Sequence, residues 1–356
     1  MNLNIFHWRS LRTRVTLSTL AIFLIGIWSL TSYTSRMQRE DMRRLLGEQI
    51  FSTVSIIAAD INDELEDRLK AMEIAAGRIT PAMLGNAASM QTFLEDRIAL
   101  FRMFNGGLWV ARLDGTAIAD VPVSAGRIGV NYRDRDWVAE VLKGKSIIAT
   151  PVIGRKLKSP VVPIAASIRD SRGKVIGFLA GVIDLGMPNF LGKITDNRYG
   201  KTGGYRLIAP QHNLFVTATD KSRIMQPLPA PGINSMHDRY MQGFEGFGIA
   251  VNSRGIEELS AAKKIPVAGW FVAATLPTEE AFAPIRAMQQ RMLLATIFLT
   301  LLAGGLTWWI LKRQLAPVFT TIKTLAALAD TDRPPQPLPI TRQDEIGELI
   351  GGFNRL

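Results

Sequence analysis

Two long stretches without a charged side chain constrain this chain more than any other feature. They cover residues 15–35 and 292–311. At 1.5 Å per residue, each would form a helix of roughly 30 Å, which is the thickness of a bilayer core. Basic residues flank the second stretch, and Trp308 and Trp309 lie near its end, where interfacial aromatic anchors are common. The sequence therefore predicts two transmembrane helices, at residues 15–35 and 291–312.

Each stretch has an alternative interpretation. The first could be the apolar region of a signal peptide, but it is longer than such regions usually are, and Ser29–Tyr33 offers no clear small-x-small cleavage site. The second could be a buried core helix, although a chargeless run of about 20 residues argues against this. We therefore expect two uncleaved membrane spans.

The orientation follows from the distribution of basic residues. The tail at residues 1–14 carries three arginines and no acidic residue, so the positive-inside rule predicts that it is cytoplasmic. Arginines just beyond the first span weaken that contrast. Two spans return the chain to its starting side, so residues 313–356 are also expected in the cytoplasm. Residues 36–290 are then periplasmic, and the protein is expected in a bacterial inner membrane.

Composition excludes several classes of function. The net charge of +11 fits membrane-flanking basic residues, and no clustered basic-aromatic pattern indicates nucleic-acid binding. The chain has no cysteine, so it has no disulfide and no thiolate metal site. Its three histidines (His7, His212 and His237) form no metal pair at helical spacing and no Ser–His–Asp arrangement. We expect no cofactor, no metal and no catalytic residue, and the chain as given is not expected to be an enzyme.

The spacing of apolar residues changes along the segment that joins the two spans. Apolar residues recur at steps of three and four from Leu46 to Met72, which predicts a stalk helix over residues 36–78. From about residue 107, short β-branched segments with turn signals predict strands, and a helical patch at Asp134–Lys143 lies between the second and the third. The predicted strands of this first round are Gly107–Leu113, Thr116–Val123, Ser146–Ile153, Val161–Ile168 and Lys174–Asp184. A second, weaker round is predicted at Gly204–Ala209, Leu214–Thr219, Phe247–Asn252 and Trp270–Leu276. The predicted fold class is α+β: two modules, at about 95–195 and 200–278, attached to one long helix.

Three local motifs add a family resemblance. They are Arg133–Trp137 before a helix, a long hairpin ending in Gly181–Asp184, and Gly269–Val272 followed by Pro277. With the stalk helix, they make residues 36–290 resemble the double Cache sensors of bacterial transmembrane receptors. The resemblance implies two PAS-like α/β modules in the periplasm. It also implies that the membrane-distal module binds a small metabolite between its helix and its sheet.

By this resemblance, Arg135, Trp137 and Asp184 fall on ligand-contacting positions, and Arg133 belongs to the same motif. An arginine fork can hold a carboxylate, an aromatic wall excludes water, and an aspartate can hold an ammonium group. The alternative is structural: Arg135 would pair with Asp134 or Asp184, and Trp137 would belong to the core.

Amino-acid-binding members of the family carry a tyrosine directly after the tryptophan and another five residues before the arginine. Here those positions are Val138 and Val130. The predicted ligand is therefore an organic acid or a mixed-charge metabolite. A basic loop at Arg155–Lys158 could rim an anion pocket, or it could be a solvated loop.

The cytoplasmic end resembles a HAMP linker. Apolar residues at heptad steps surround a proline-rich connector and an Asp-Glu pair, which is typical of two short helices that form a parallel four-helix bundle in a homodimer. The predicted relay residues are Pro317, Val318, Ile322, Leu325, Asp344, Glu345, Ile346 and Phe353. The alternative is an ordinary amphipathic helix. The pattern stops in mid-helix, so we expect the linker at residues 313–356 to be incomplete at its C-terminus.

Together these features predict a homodimeric receptor that binds a small periplasmic metabolite. It would relay a conformational change through HAMP to a cytoplasmic output domain beyond this sequence. The architecture resembles cyclic-di-GMP enzymes, sensor histidine kinases and chemoreceptors, and the ending Ile350–Leu356 looks most like the first two groups. By this resemblance a diguanylate cyclase or cyclic-di-GMP phosphodiesterase output is favoured, and then a histidine kinase. The alternatives are a chemoreceptor or a stand-alone sensory adaptor that acts through a partner protein. A membrane-anchored periplasmic enzyme is disfavoured by the missing nucleophile and metal sets.

Overall fold

The computed structural model describes residues 11–328, 348 and 351–352. The chain divides into two compact units, one formed by Met42–Ala283 and the other by Met1–Asp41 with Pro284–Leu356.

The helices are α1 (Leu11–Ala76), α2 (Pro81–Gly85), α3 (Ala87–Glu95), α4 (Ile98–Arg102), α5 (Asp136–Leu142), α6 (Phe190–Asp196), α7 (Ser235–Met241), α8 (Thr278–Ala281) and α9 (Ala283–Leu328). The strands of the first sheet are β1 (Leu108–Arg112), β2 (Ala117–Val121), β3 (Ile147–Ile148), β4 (Val152–Ile153), β5 (Pro160–Arg169) and β6 (Val175–Asp184). Those of the second sheet are β7 (Gly204–Ala209), β8 (Leu214–Ala218), β9 (Gly246–Val251), β10 (Glu257–Ile265) and β11 (Trp270–Pro277).

The long helix α1 contributes an apolar face to the core of the larger unit. Ile50, Val54, Ile61 and Leu65 are fully buried and follow one another at steps of four and seven. This spacing keeps them on one face of a helix with 3.6 residues per turn. The helix ends at Ala76, and Gly77 donates its N–H to the carbonyl of Glu73 at 2.9 Å. The predicted domain boundaries stay predictions.

The first sheet is antiparallel, with the strand order β2-β1-β6-β5-β3, and β4 also pairs with β5. Side chains alternate between its two faces. On β1, Leu108 and Val110 join the core that contains the α1 residues. Trp109 and Ala111 point to the opposite face, where they pack with residues of α5.

The second sheet repeats this plan, with the order β8-β7-β11-β10-β9. Leu207 and Val272 lie on the face that joins the α1 core, and Ile208 and Phe271 lie on the other. That other face is covered by α7. Each sheet therefore uses one face for the shared core and leaves the second to a short helix and loops.

The mixed α+β class predicted from the sequence is confirmed. Two details differ. The single strand expected at Ser146–Ile153 is divided into β3 and β4, because Pro151 removes a ladder donor between them. Strand β10 was not predicted, since Glu257–Ile265 is rich in charged residues and alanine, which are depleted in strands.

The second unit contains the N-terminal part of α1, up to Asp41, and α9 from Pro284 onward. In the described residues, α1 and α9 are each long and apolar enough to cross a membrane, by length and composition. Two polar pairs join them: Thr31 and Thr296 share a hydrogen bond at 3.1 Å, and Gln289 donates to Ser35 at 2.8 Å.

The predicted relay residues are only partly covered by the structure. Asp344, Glu345, Ile346 and Phe353 lie outside the described residues. Pro317, Val318, Ile322 and Leu325 belong to α9, of which only the backbone is described at these positions. The HAMP assignment stays a prediction.

Candidate functional site

A cavity of about 40 Å³ lies between the first sheet and α5. Strands β1, β5 and β6 form its floor, and α5 and the segment from Val152 to Leu157 form its walls. The lining residues are Trp109, Arg127, Tyr132, Arg135, Trp137, Val152, Ile153, Gly154, Arg155, Lys156, Leu157, Val161, Pro163 and Val182. We call this space the distal cavity.

Aromatic rings make one side of the distal cavity rigid. The ring centroids of Trp109 and Tyr132 are 4.4 Å apart, and those of Trp109 and Trp137 are 6.1 Å apart. Phe178 packs edge-on behind Trp137 at 5.7 Å. Such tilted and edge-on pairs stabilise one another beyond their buried area. The cavity therefore has an apolar wall that resists collapse.

A buried ion pair holds the inner end of the cavity. Asp120, at the end of β2, accepts hydrogen bonds from the Arg127 side chain at 2.6 Å and from its backbone N–H at 2.8 Å. Arg127 also donates to the carbonyl of Gly106. Burial raises the pKa of Asp120, and the charge of Arg127 opposes that rise. Because its donors are engaged, Arg127 serves mainly to position the cavity wall.

Two further arginines lie at the cavity and differ in how strongly they are held. Arg155 donates to the carbonyl of Asn131 at 2.6 Å and to Asp134 at 2.5 Å, and it lies over the Tyr132 ring. Within the described chain, Arg135 makes one side-chain hydrogen bond, a long one of 3.4 Å to the carbonyl of Ile153. The Arg135 guanidinium is therefore the one with the most donors free for a ligand.

The charge of the lining is one-sided. Arg127, Arg135, Arg155 and Lys156 are cationic, and no carboxylate occurs among the described residues that line the cavity. Burial raises the pKa of Tyr132, so its hydroxyl stays neutral at physiological pH. This combination of cations and aromatic surface suits the carboxylate of a small, partly apolar molecule.

The structure separates the four predicted ligand residues into two pairs. Arg135 and Trp137 line the distal cavity. Asp184 is buried at the end of β6 and is not a lining residue; its Oδ1 accepts the N–H of Gly186 at 2.9 Å. Arg133 is exposed and donates to the carbonyl of Leu113 at 2.9 Å. Ligand contact by these residues stays a prediction.

The contacts around the cavity bear on two questions that the sequence left open, the pairing of Arg135 and the role of the basic loop. Arg135 does not pair with Asp134, because Arg155 takes that carboxylate. The basic loop contributes Arg155 and Lys156 to the cavity wall, so it is more than a solvated loop. Sequence reasoning missed Trp109, Arg127 and Tyr132. Trp109 was detectable from strand alternation, whereas the Asp120–Arg127 pair spans a loop and leaves no periodic signal.

Comparisons with known proteins agree with this architecture. A family model described as Cache domain matches residues 38–285. The ligand-binding domain of the Pseudomonas fluorescens chemoreceptor CtaA, in complex with L-isoleucine, is 19% identical with a TM-score of 0.54, covering 70% of this chain and 98% of that chain. The ligand-binding domain of the Pseudomonas aeruginosa PAO1 amino acid chemoreceptor PctB, in complex with L-Arg, is 18% identical, with a TM-score of 0.56. This match covers 69% of this chain and 93% of that chain.

The ligand-binding domain of Mlp24 with asparagine is 14% identical, with a TM-score of 0.53, and the match covers 70% of this chain and 98% of that chain. No curated protein matches the sequence. At these identities the structural matches establish the fold alone.

The buried pair yields a stability prediction. We expect Arg127→Met to destabilise the protein by about 3–5 kcal/mol, because it leaves the buried Asp120 carboxylate without a partner. Chemical unfolding followed by circular dichroism of the full chain in detergent measures the change. Arg172→Met, in the exposed turn before β6, is the matched control. The double variant Asp120→Leu/Arg127→Met should recover part of the loss, and an equal effect of Arg127→Met and Arg172→Met would contradict the assignment.

Proposed function

Because this chain belongs to the Cache domain family, whose model covers residues 38–285, we propose that it is a transmembrane receptor for a small anionic metabolite. The observation that carries the proposal is the distal cavity, with its cationic and aromatic lining. The matched structures are ligand-binding domains by name, in agreement with the prediction that the chain as given is not an enzyme.

The ligand class follows from which charges the cavity offers. The solved relatives hold amino acids, which need a partner for an ammonium group as well as for a carboxylate. In this chain the buried Asp184 is already engaged with Gly186 and does not line the cavity. Val130 and Val138 also lie outside the lining. These features favour a carboxylic acid without an ammonium group, held by the planar fork of Arg135.

One wall of the cavity is the segment from Val152 to Leu157, which Arg155 ties to Asn131 and Asp134. A ligand carboxylate competes with those contacts. Ligand binding is therefore coupled to the position of this segment beside β5.

The signal then has to reach the cytoplasm. Both α1 and α9 contain segments apolar enough to span a membrane, and they are the predicted routes. Helix shifts of about 1–2 Å are typical of such switches, and a ligand drives them only through its differential affinity for the two states. The proposed relay is a HAMP bundle, with a cyclic-di-GMP enzyme favoured as the output and a histidine kinase second.

A chemoreceptor is the second candidate function. The solved structures that resemble residues 38–285 include ligand-binding domains of chemoreceptors. The same sensor would then act on a methyl-accepting signalling domain or through a partner protein. Its ligand class and its distal cavity would be unchanged.

A homodimer is part of the proposal. Leu45, Ile56 and Ile74 on α1 are each more than half exposed. Their separations of 11 and 18 residues are close to whole numbers of helical turns, so they share one face. An exposed apolar face of this kind is suited to a second copy of the same helix.

We predict that Arg135→Gln abolishes carboxylate binding, because it removes the guanidinium fork while keeping a polar side chain. Thermal denaturation of the full chain in detergent, against a panel of organic acids, should show stabilisation of the wild type that the variant lacks. Arg133→Gln is the matched control, since Arg133 is a neighbouring arginine that donates to Leu113 outside the cavity. If Arg135→Gln kept the stabilisation, the proposed ligand site would be wrong.

The dimer can be tested by cysteine cross-linking. The chain contains no cysteine of its own, so any disulfide must come from the introduced one. We expect Ile56→Cys to form a disulfide-linked dimer in membranes under mild oxidation. Ser171→Cys, in the exposed turn between β5 and β6, should remain monomeric. Non-reducing electrophoresis measures both, and equal cross-linking of the two variants would count against a dimer through this face of α1.

A further inference from the structure

The second sheet has a cavity in the position that corresponds to the distal cavity of the first. It lies on the face of β7 and β8 that α7 covers, and its volume is about 30 Å³. Its lining residues are Arg206, Phe215, Arg223, Pro229, Asn234, His237, Asn252 and Ser253. We call it the proximal cavity. Nothing in the proposed function uses it.

Arginines dominate its charge, and their ion pairs are long. Arg206 lies 3.3 Å from Glu258, and Arg223 lies 3.7 Å from Asp220 and over the Phe215 ring. Burial lowers the pKa of Arg223, and the neighbouring charges of Arg206 and Arg254 lower it further. These like charges repel one another and favour an added anion.

The balance of charge indicates which anion fits. The ion-paired cluster holds three arginines (Arg206, Arg223 and Arg254) and two carboxylates (Glu258 and Asp220), and the Asp238 carboxylate also acts on His237. Asn252 already satisfies one oxygen of Glu258 by donating to it at 3.0 Å. With this many carboxylates beside the arginines, an added ligand with a single negative charge fits better than a dianion.

A buried nitrogen in the same lining has no partner. The Nε2 atom of His237 is inaccessible to solvent and makes no hydrogen bond within the described part of the chain. The His237 backbone N–H bonds to Asn234, which fixes the start of α7. Burial lowers the pKa of His237, so its ring is neutral at pH 7 and can donate one N–H. Buried polar atoms without partners are rare in folded proteins, and this one lies at the arginine cluster.

We propose that the proximal cavity is a second ligand site, which binds a small monocarboxylate. The carboxylate would accept hydrogen bonds from the fork of Arg223 and from Nε2 of His237, with Arg206 completing the positive field. Its planar shape matches the guanidinium fork in two parallel bonds. The small volume of the cavity favours a short acid. This site is independent of the distal cavity, and the receptor would have two inputs.

The histidines provide a local probe, because the chain has only His7, His212 and His237. We suggest following the imidazole signals of the full chain in detergent by NMR during a sodium acetate titration, with sodium chloride at matched ionic strength as the reference. The His237 signals should shift saturably with acetate, and those of the exposed His212 should not. The acetate-induced shift of the His237 signals should persist in Arg135→Gln, which disables the distal cavity. The test of the proximal cavity is therefore separate from the test of the distal cavity.

Arg223→Gln should weaken acetate binding about tenfold or more, because it removes a charged hydrogen-bonding partner. The circular dichroism spectrum and the His212 signal show whether this variant is folded. If it is not, Arg223→Lys keeps the charge without the fork and should also weaken binding. The proposal is overturned if His237 does not respond to acetate, if chloride shifts it equally, or if the folded variant binds acetate as the wild type does.

Discussion

The apolar face of α1 is the feature on which the larger unit depends. Residues from Ile50 to Met72 on this helix are buried in one core with the inner faces of both sheets. Each large side chain contributes about 1.5–3 kcal/mol when it is fully buried, so the helix is a major source of stability for both modules. Polar contacts fix its position. The Asn62 side chain accepts the N–H of Val267 at 3.1 Å, and Arg68 donates to the carbonyl of Met103 at 3.0 Å.

This use of α1 leaves the other face of each sheet available for function. Those outer faces are covered by α5 and α7, which have seven residues each, and by loops. Short covers with few buried residues open at a lower free-energy cost than the central core. Both cavities lie there, one lined by Trp109 and Arg135 and the other by Phe215 and Arg223. A ligand-driven switch of the kind we propose needs a rigid core and a covering layer that can move, here α5, α7 and the adjoining loops.

Periodicity predicted the parts of the fold that rest on local pattern. The apolar face of α1 and the apolar strand segments are repeated signals. Arg135 and Trp137 are two residues apart at the start of α5, so the sequence alone places them close together. Strand β10 was missed because its environment, between β9 and β11, outweighs its composition. The Asp120–Arg127 pair was missed because it depends on loop geometry. The place of Asp184 outside the cavity depends on how β6 ends, which no spacing encodes.

Selection of a carboxylate without an ammonium group by the distal cavity can be measured by calorimetric titration of the full chain with pairs of ligands. Each pair consists of an amino acid and the carboxylic acid that lacks only its amino group. We expect tighter binding of the deaminated member of each pair that binds, and we expect Arg135→Gln to abolish the difference. Tighter binding of the amino acids would show that an ammonium group is recognised, and that the cavity does not select against it.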